Sequence, residues 1–163
     1  MLNKVLFLLL IPMFARTQSR KDEFNIYREV GLTARNNAYG FHYSWQAQIS
    51  RTLYLGMAAE AVRLTVAEKE SAVRKENLAP VTFRLSHMAE LNGLRFVPYI
   101  GAGLVLTQNG TVLEGGLGVA AGRWELSAAY RQFGNSTELP QHNGVFLRLS
   151  RLLIREATRP HFQ

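Results

Sequence analysis

The residues best suited to nucleophilic chemistry are a histidine and a serine two positions apart, His42 and Ser44. A serine hydrolase needs a histidine base within hydrogen-bonding reach of the hydroxyl, and an acidic group that orients the imidazole. His42 and Ser44 have the right types for the first two roles. Whether they can act depends on where the surrounding chain places them.

Other candidates are weaker. Ser86 and His87 are adjacent, and neighbours along an extended chain face opposite sides. Histidines and carboxylates nowhere show metal-ligand spacing, and the chain contains no cysteine. The glycines of Gly115–Gly118 are not followed by a helical segment that could supply amide groups to a phosphate. His42 and Ser44 themselves lie on the polar face of an alternating segment, where an interior histidine with a hydrogen-bond partner explains them better than a catalytic pair. We therefore predict no catalytic, metal-binding or cofactor-binding residue, no cofactor and no enzymatic activity.

Size and composition limit the possible classes. The chain of 163 residues is long enough for one domain. With 47% hydrophobic and 19% charged residues, it is too apolar for intrinsic disorder. Beyond the first fifteen residues, no apolar run approaches the roughly 20 residues of a spanning helix. The formal charge of +7 raises the question of an anionic partner such as nucleic acid.

The amino-terminal segment predicts export. A lysine at position 4 precedes about ten apolar residues, and Thr17 and Ser19 provide small side chains at the end. This order is typical of a secretory signal peptide, so we predict a signal peptide over residues 1–19 and one domain over 20–163. Cleavage removes Lys4 and Arg16 and lowers the formal charge from +7 to +5.

The rest of the chain alternates apolar with polar or small side chains. In the clearest stretch, Phe41, Tyr43 and Trp45 form one face and the intervening residues form the other. A period of two indicates a β-strand. Eight such stretches occur, separated by connections short enough for antiparallel neighbours, and we predict an all-β, eight-stranded antiparallel up-and-down barrel. The strands lie roughly at 27–36, 40–50, 52–64, 80–90, 94–107, 111–121, 123–133 and 144–153.

Charged residues fall on the polar strand faces. A barrel of eight strands is only wide enough for its own side chains to fill it, so charges inside must pair with one another. We predict a structural network in the interior, and keep an ion path or a small-ligand site as the alternative. Its members are Glu29, Arg35, Glu60, Arg84, Glu125, Arg131 and Arg148. Glu114 is an eighth candidate on a glycine-rich strand whose facing the pattern does not fix.

Four observations favour a barrel with its apolar face on lipid. The polar face is rich in serine, threonine and glutamine, and after residue 19 the only lysines, at 21, 69 and 75, lie outside the predicted strands. The strands have about ten residues, as a tilted membrane strand needs. Tight turns alternate with the longer loops Thr65–Ala79 and Gly134–Asn143. Aromatic residues lie near strand ends, where membrane girdles are found: Tyr27, Tyr39, Phe41, Tyr54, Phe96, Tyr99, Trp124, Tyr130 and Phe133.

One segment resembles a known family. Residues 80–85, Pro-Val-Thr-Phe-Arg-Leu, are followed by Leu94-Arg-Phe-Val-Pro-Tyr-Ile-Gly-Ala-Gly103. This pair is similar to strands of the outer-membrane β-barrel domain family of Gram-negative bacteria. The resemblance implies an outer-membrane location and insertion by the barrel-assembly machinery, without implying one activity.

Together, these inferences predict a small integral outer-membrane β-barrel with a side-chain-filled interior. Its role would be structural, or would depend on a protein partner, not identified by the sequence, that meets the outer loops. Outer-membrane lipid is the predicted surrounding, and nucleic acid is not a predicted partner. The alternatives are a narrow channel, a lipid-modifying outer-membrane enzyme, and a secreted soluble ligand-binding barrel.

Overall fold

The alternating segments form ten strands in a computed structural model that describes residues 24–67, 73–134 and 142–158. The predicted signal peptide lies outside the described residues. In chain order the strands are β1 (Phe24–Arg35), β2 (Ala38–Gln48), β3 (Leu53–Ala67), β4 (Val73–Leu78), β5 (Pro80–His87), β6 (Ala89–Leu91), β7 (Leu94–Val105), β8 (Gly110–Ala121), β9 (Trp124–Gly134) and β10 (Gly144–Thr158). No helix in these ranges is long and apolar enough to cross a membrane.

The strands close into a barrel in which all pairings are antiparallel. Chain neighbours pair around the barrel, and β1 pairs with β10 to complete it. Three short strands share one of the eight positions. β5 pairs with both β3 and β7, whereas β4 pairs with β3 and β6 pairs with β7. The structure confirms the predicted eight-stranded antiparallel barrel.

The apolar strand face is exposed and the polar face is buried. On β2, Phe41 is 69% exposed and His42 is 3% exposed. The same alternation continues through Ser44, which is buried, and Trp45, which is exposed. Large apolar side chains therefore cover the outside of the barrel, and hydrogen-bonding groups lie inside, which is the reverse of a water-soluble ligand-carrying barrel.

The two ends of the barrel differ. One end, called the terminus end below, carries the start of β1, the end of β10 and three tight turns at 49–52, 92–93 and 122–123. At one of these turns both Asn92 and Gly93 have positive φ, 52° and 78°, as a two-residue hairpin turn requires. The opposite end, the loop end, carries the β3–β4 and β9–β10 connections.

The interior also contains an apolar layer that the sequence analysis does not predict. Eight buried apolar residues form a cluster at the loop end, and the rings of Phe133 and Phe146 meet edge to face with centroids 6.3 Å apart. We call this cluster the apolar plug. Its members are Ala38, Val62, Leu64, Leu78, Val105, Val112, Phe133 and Phe146.

Two boundary predictions are wrong. Residues 65–67 and 73–78 of the predicted loop Thr65–Ala79 continue the β3–β4 hairpin, so Lys75 lies in a strand. The alternation of apolar and polar residues is not visible in the sequence there, because the inward-facing residue after Lys75 is a charged one, the buried Glu76. The last strand runs to Thr158 instead of 153, because β1 begins at Phe24 and supplies a partner for the added residues.

Several aromatic residues predicted for the girdles lie inside the barrel instead. Tyr27, Tyr54, Tyr99 and Phe133 are each no more than 7% exposed. Each shares the inward face of its strand with polar or charged residues, as Phe133 does with Arg131. The height of a residue along the barrel and the face on which it lies are independent, and only the alternation fixes the face.

Candidate functional site in the barrel interior

Five buried charged residues meet at the centre of the barrel. Two glutamates, Glu60 on β3 and Glu114 on β8, face three arginines, Arg84 on β5, Arg131 on β9 and Arg148 on β10. Each arginine lies within ion-pair distance of both carboxylates. We call these residues the central cluster. Since they come from five of the eight strand positions, the cluster links strands across the barrel.

Glu114 is the most heavily bonded member. Its Oε2 accepts hydrogen bonds from Arg148 Nη2 at 2.7 Å and from Arg131 Nε at 3.2 Å. Its Oε1 accepts one from Arg84 Nε and one from the Thr82 hydroxyl at 3.0 Å. Four donors thus compensate the lost hydration of one buried carboxylate.

The second carboxylate also binds the histidine noted in the sequence. Glu60 Oε1 accepts a hydrogen bond from Arg131 Nη2, lies 2.9 Å from Arg148 Nε and is 3.1 Å from His42 Nδ1. The Ser44 hydroxyl instead donates to Glu29 Oε2 at 3.3 Å. His42 and Ser44 therefore use different carboxylates, and no hydrogen bond joins the two side chains in the structure. A serine nucleophile activated by His42 is not formed in this arrangement.

Glu29 and Glu125 lie on the terminus-end side of the central cluster, close to its residues Arg84 and Arg148. They line a small polar cavity together with Gln46, Ser86 and Ser127. The cavity measures about 10 Å³, which is room for about one water molecule. Ser86 donates from its hydroxyl to Gln46 Oε1 at 2.8 Å, so its side chain is engaged away from His87.

Arg35 lies at the opposite end from this cavity. Its Nη1 donates to the His142 carbonyl oxygen at 2.5 Å, and its guanidinium lies 5.5 Å from the centre of the Phe146 ring. Of the seven predicted network residues, the structure thus brings Glu60, Arg84, Arg131 and Arg148 into one cluster. It places Glu29 and Glu125 beside a cavity that adjoins this cluster, and Arg35 at the loop end.

A second polar group closes the loop end. Glu76 Oε2 on β4 accepts hydrogen bonds from His142 Nε2 at 3.1 Å and from Gln108 Nε2 at 3.2 Å. His142 precedes β10 and Gln108 lies in the β7–β8 turn. One carboxylate therefore joins three connections directly above the apolar plug. We call this group the loop-end tie.

Sequence reasoning missed the central position of Glu114 and the part played by Tyr99. The Tyr99 hydroxyl accepts a hydrogen bond from Arg148 Nη1 at 2.6 Å, and its ring lies 5.1 Å from the Arg84 guanidinium carbon. The signal in the sequence was that Val112, Glu114 and Gly116 occupy alternate positions on β8 and therefore face the same side of the strand. Glycines obscured it, because they have no side chain that reports a face.

Gly116 provides the space that Tyr99 occupies. A Cβ at Gly116 would lie 2.6 Å from the Tyr99 ring and 2.7 Å from the Ala128 carbonyl oxygen, whereas a Cβ at the next residue, Gly115, meets nothing within 4 Å. We expect Gly116→Ala to lower the free energy of unfolding by about 1–3 kcal/mol, because it displaces the ring that binds Arg148. Urea unfolding measures this, with Gly115→Ala as the matched control. Equal stability of the two variants contradicts the assignment.

Metal chemistry finds no support in the arrangement. No group of three or more histidine, aspartate or glutamate side chains suited to a metal ion occurs within the described ranges. The charged interior instead pairs acids with bases. No protein-family model matches the chain, and no curated protein matches it.

Proposed function

We propose that this chain is a small integral β-barrel protein of the Gram-negative outer membrane, with its apolar face on lipid and its interior closed by side chains. Its role is structural, or it binds a protein partner at the loop end, and it has no catalytic activity. On this proposal the exported chain, after loss of the segment 1–19, is inserted by the barrel-assembly machinery. The resemblance of residues 80–85 and 94–103 to strands of the outer-membrane barrel family supports the location.

The observation that carries the proposal is the continuous apolar exterior. One rung of directly paired residues crosses five strands as Leu126, Leu149, Leu32, Phe41 and Ala61, and all of them are exposed. Large exposed apolar side chains occur at each of the eight strand positions. Monomeric soluble proteins rarely expose an apolar patch above several hundred Å², so a surface of this extent needs an apolar surrounding.

The closed interior supports a structural role over conduction. The apolar plug fills the loop end, and the central cluster crosses the middle of the barrel. An ion entering from either side would have to displace Phe133 and Phe146 or separate buried ion pairs. A narrow channel is therefore the less supported function.

The loop end is the surface we propose for a partner. The β3–β4 hairpin extends past the pairing of β2 with β3, which ends at Ala38 and Leu64. The loop-end tie holds this hairpin to the β7–β8 and β9–β10 connections. A hairpin fixed in this way presents its outward residues, including Arg63, Lys75 and Asn77, in one arrangement. Pre-ordering of this kind lowers the entropy cost of binding.

Cell fractionation followed by gel electrophoresis tests the proposal. We expect the protein in the outer-membrane fraction and expect heat-modifiable migration, because a closed barrel resists the detergent until its strand pairs melt on boiling. An outer-membrane protein of known mobility shift serves as the control.

A soluble periplasmic protein with no mobility shift would overturn the proposal. Planar-bilayer recording separates the two membrane functions, since a closed interior gives a flat trace. Reproducible single-channel steps from the purified chain would replace the structural role with a channel.

A further inference from the structure

Arginine is concentrated on the exposed surface at the terminus end. Arg51 and Arg123 lie in the tight turns there, and Arg151 lies on β10 near the same end. Among the residues whose side chains the structure describes, Glu90 is the only exposed acid. Glu90 lies on β6 at this same end, so exposed arginines outnumber exposed acids there by three to one among the described side chains.

Two of these arginines flank a tryptophan. Trp124 on β9 is 53% exposed and pairs directly with Arg151 on β10, whose guanidinium lies 5.8 Å from the ring centre. Arg123 precedes Trp124, and its carbonyl oxygen accepts the Leu152 amide at 2.7 Å, which holds the turn against β10. We call Arg123, Trp124 and Arg151 the Arg–Trp patch. Neither guanidinium group has a hydrogen-bond or ion-pair partner within the described residues.

The geometry suits a phosphate group at an interface. A guanidinium stacked on an aromatic face keeps its in-plane N–H groups available, and their fork matches two phosphate oxygens. Tryptophan is favoured at the membrane–water boundary, where its ring is partly in the apolar region. Directly beside the patch, Leu126 and Leu149 begin the apolar exterior. A ligand in contact with both surfaces needs an anionic head and an apolar tail.

We propose that the Arg–Trp patch binds the phosphodiester headgroup of an anionic phospholipid in the leaflet on the terminus side of the membrane. This inference rests on the proposed function, since it requires the barrel to lie in a bilayer. Continuity of the patch with the apolar exterior favours a lipid over a soluble acidic protein. The second tryptophan extends the surface, because Trp45 on β2 is also outward and pairs with Arg28 on β1.

Native mass spectrometry of the full chain released from nanodiscs tests the inference. The nanodiscs contain equal amounts of phosphatidylglycerol and zwitterionic phosphatidylethanolamine. We expect phosphatidylglycerol to be enriched on the wild-type protein, and expect Arg123→Gln and Arg151→Gln each to reduce that enrichment about fivefold. Arg63→Gln, an exposed arginine near the loop end, is the matched control and should leave the enrichment unchanged.

The outcomes separate the two proposals. Heat-modifiable migration of every variant shows that the barrel still forms in the membrane. If the barrels form and the Arg123→Gln and Arg151→Gln variants keep the wild-type enrichment, or Arg63→Gln loses as much, the Arg–Trp patch is not the binding site and the proposed function stands. Failure of the wild-type chain to enter nanodiscs overturns the proposed function itself.

Discussion

Replacing Glu114 with glutamine is expected to lower the free energy of unfolding by about 3–5 kcal/mol. Glutamine keeps the size of the side chain, so the loss comes from charge. Glu114 is 5% exposed and accepts hydrogen bonds from all three arginines of the central cluster. Without its charge, Arg84, Arg131 and Arg148 keep one carboxylate at ion-pair distance, that of Glu60. Uncompensated buried charge of this kind is among the most destabilising single changes.

Unfolding in urea, followed by tryptophan fluorescence of the chain refolded into vesicles, measures this change. Glu90→Gln is the matched control, because it removes the same charge from an exposed position on β6, and we expect a change of less than about 0.5 kcal/mol. The double variant Glu114→Gln with Arg148→Met should lose less free energy of unfolding than the two single variants lose in sum, because the two residues are directly paired. Additive losses would argue against the cluster.

An arginine on the outside of the barrel is expected to destabilise the protein strongly at mid-height and only weakly near the edge. Leu117 is 49% exposed and lies in the middle of β8, whereas Leu91 is 64% exposed and ends β6 beside a tight turn. We expect Leu117→Arg to lower the free energy of unfolding in vesicles by about 2–4 kcal/mol and Leu91→Arg by about 0–1 kcal/mol. The difference arises because the bilayer centre offers no water to the guanidinium.

The same two substitutions distinguish membrane from water without any assay of function. In a water-facing surface, both arginines are hydrated, and neither variant is less stable than wild type by more than about 0.5 kcal/mol. That result would contradict lipid contact at Leu117. Comparing the same amino-acid change at two heights cancels effects common to every leucine-to-arginine replacement.

Local alternation predicts the barrel because the pattern within each segment shows which residues lie on the same face of the strand. The stretch from Phe41 to Ser50 is enough to fix a strand and its two faces. Contacts between distant strands are not readable in the same way. That Arg84 and Arg131, 47 positions apart in the chain, both reach Glu114 depends on the register of three strand pairings.

The apolar plug escaped prediction for a related reason. Val112 and Phe133 share the inward faces on which Glu114 and Arg131 lie, so each strand changes from polar to apolar along one face. A prediction from alternation alone treats all residues on one strand face as polar or all of them as apolar. Only the closed barrel brings the inward apolar ends of several strands to the same height, where they pack together.

Closure of the barrel by its first and last strands constrains how the chain can be made. β1 and β10 are paired from Phe24–Thr158 to Ala34–Leu147, so the edge of β1 stays open until β10 reaches it. In an apolar surrounding an open edge leaves backbone amides and carbonyls without hydrogen bonds. A chain truncated before β10 would have two such edges and no stable partial structure. Closure of the barrel is then an all-or-none step that requires β10.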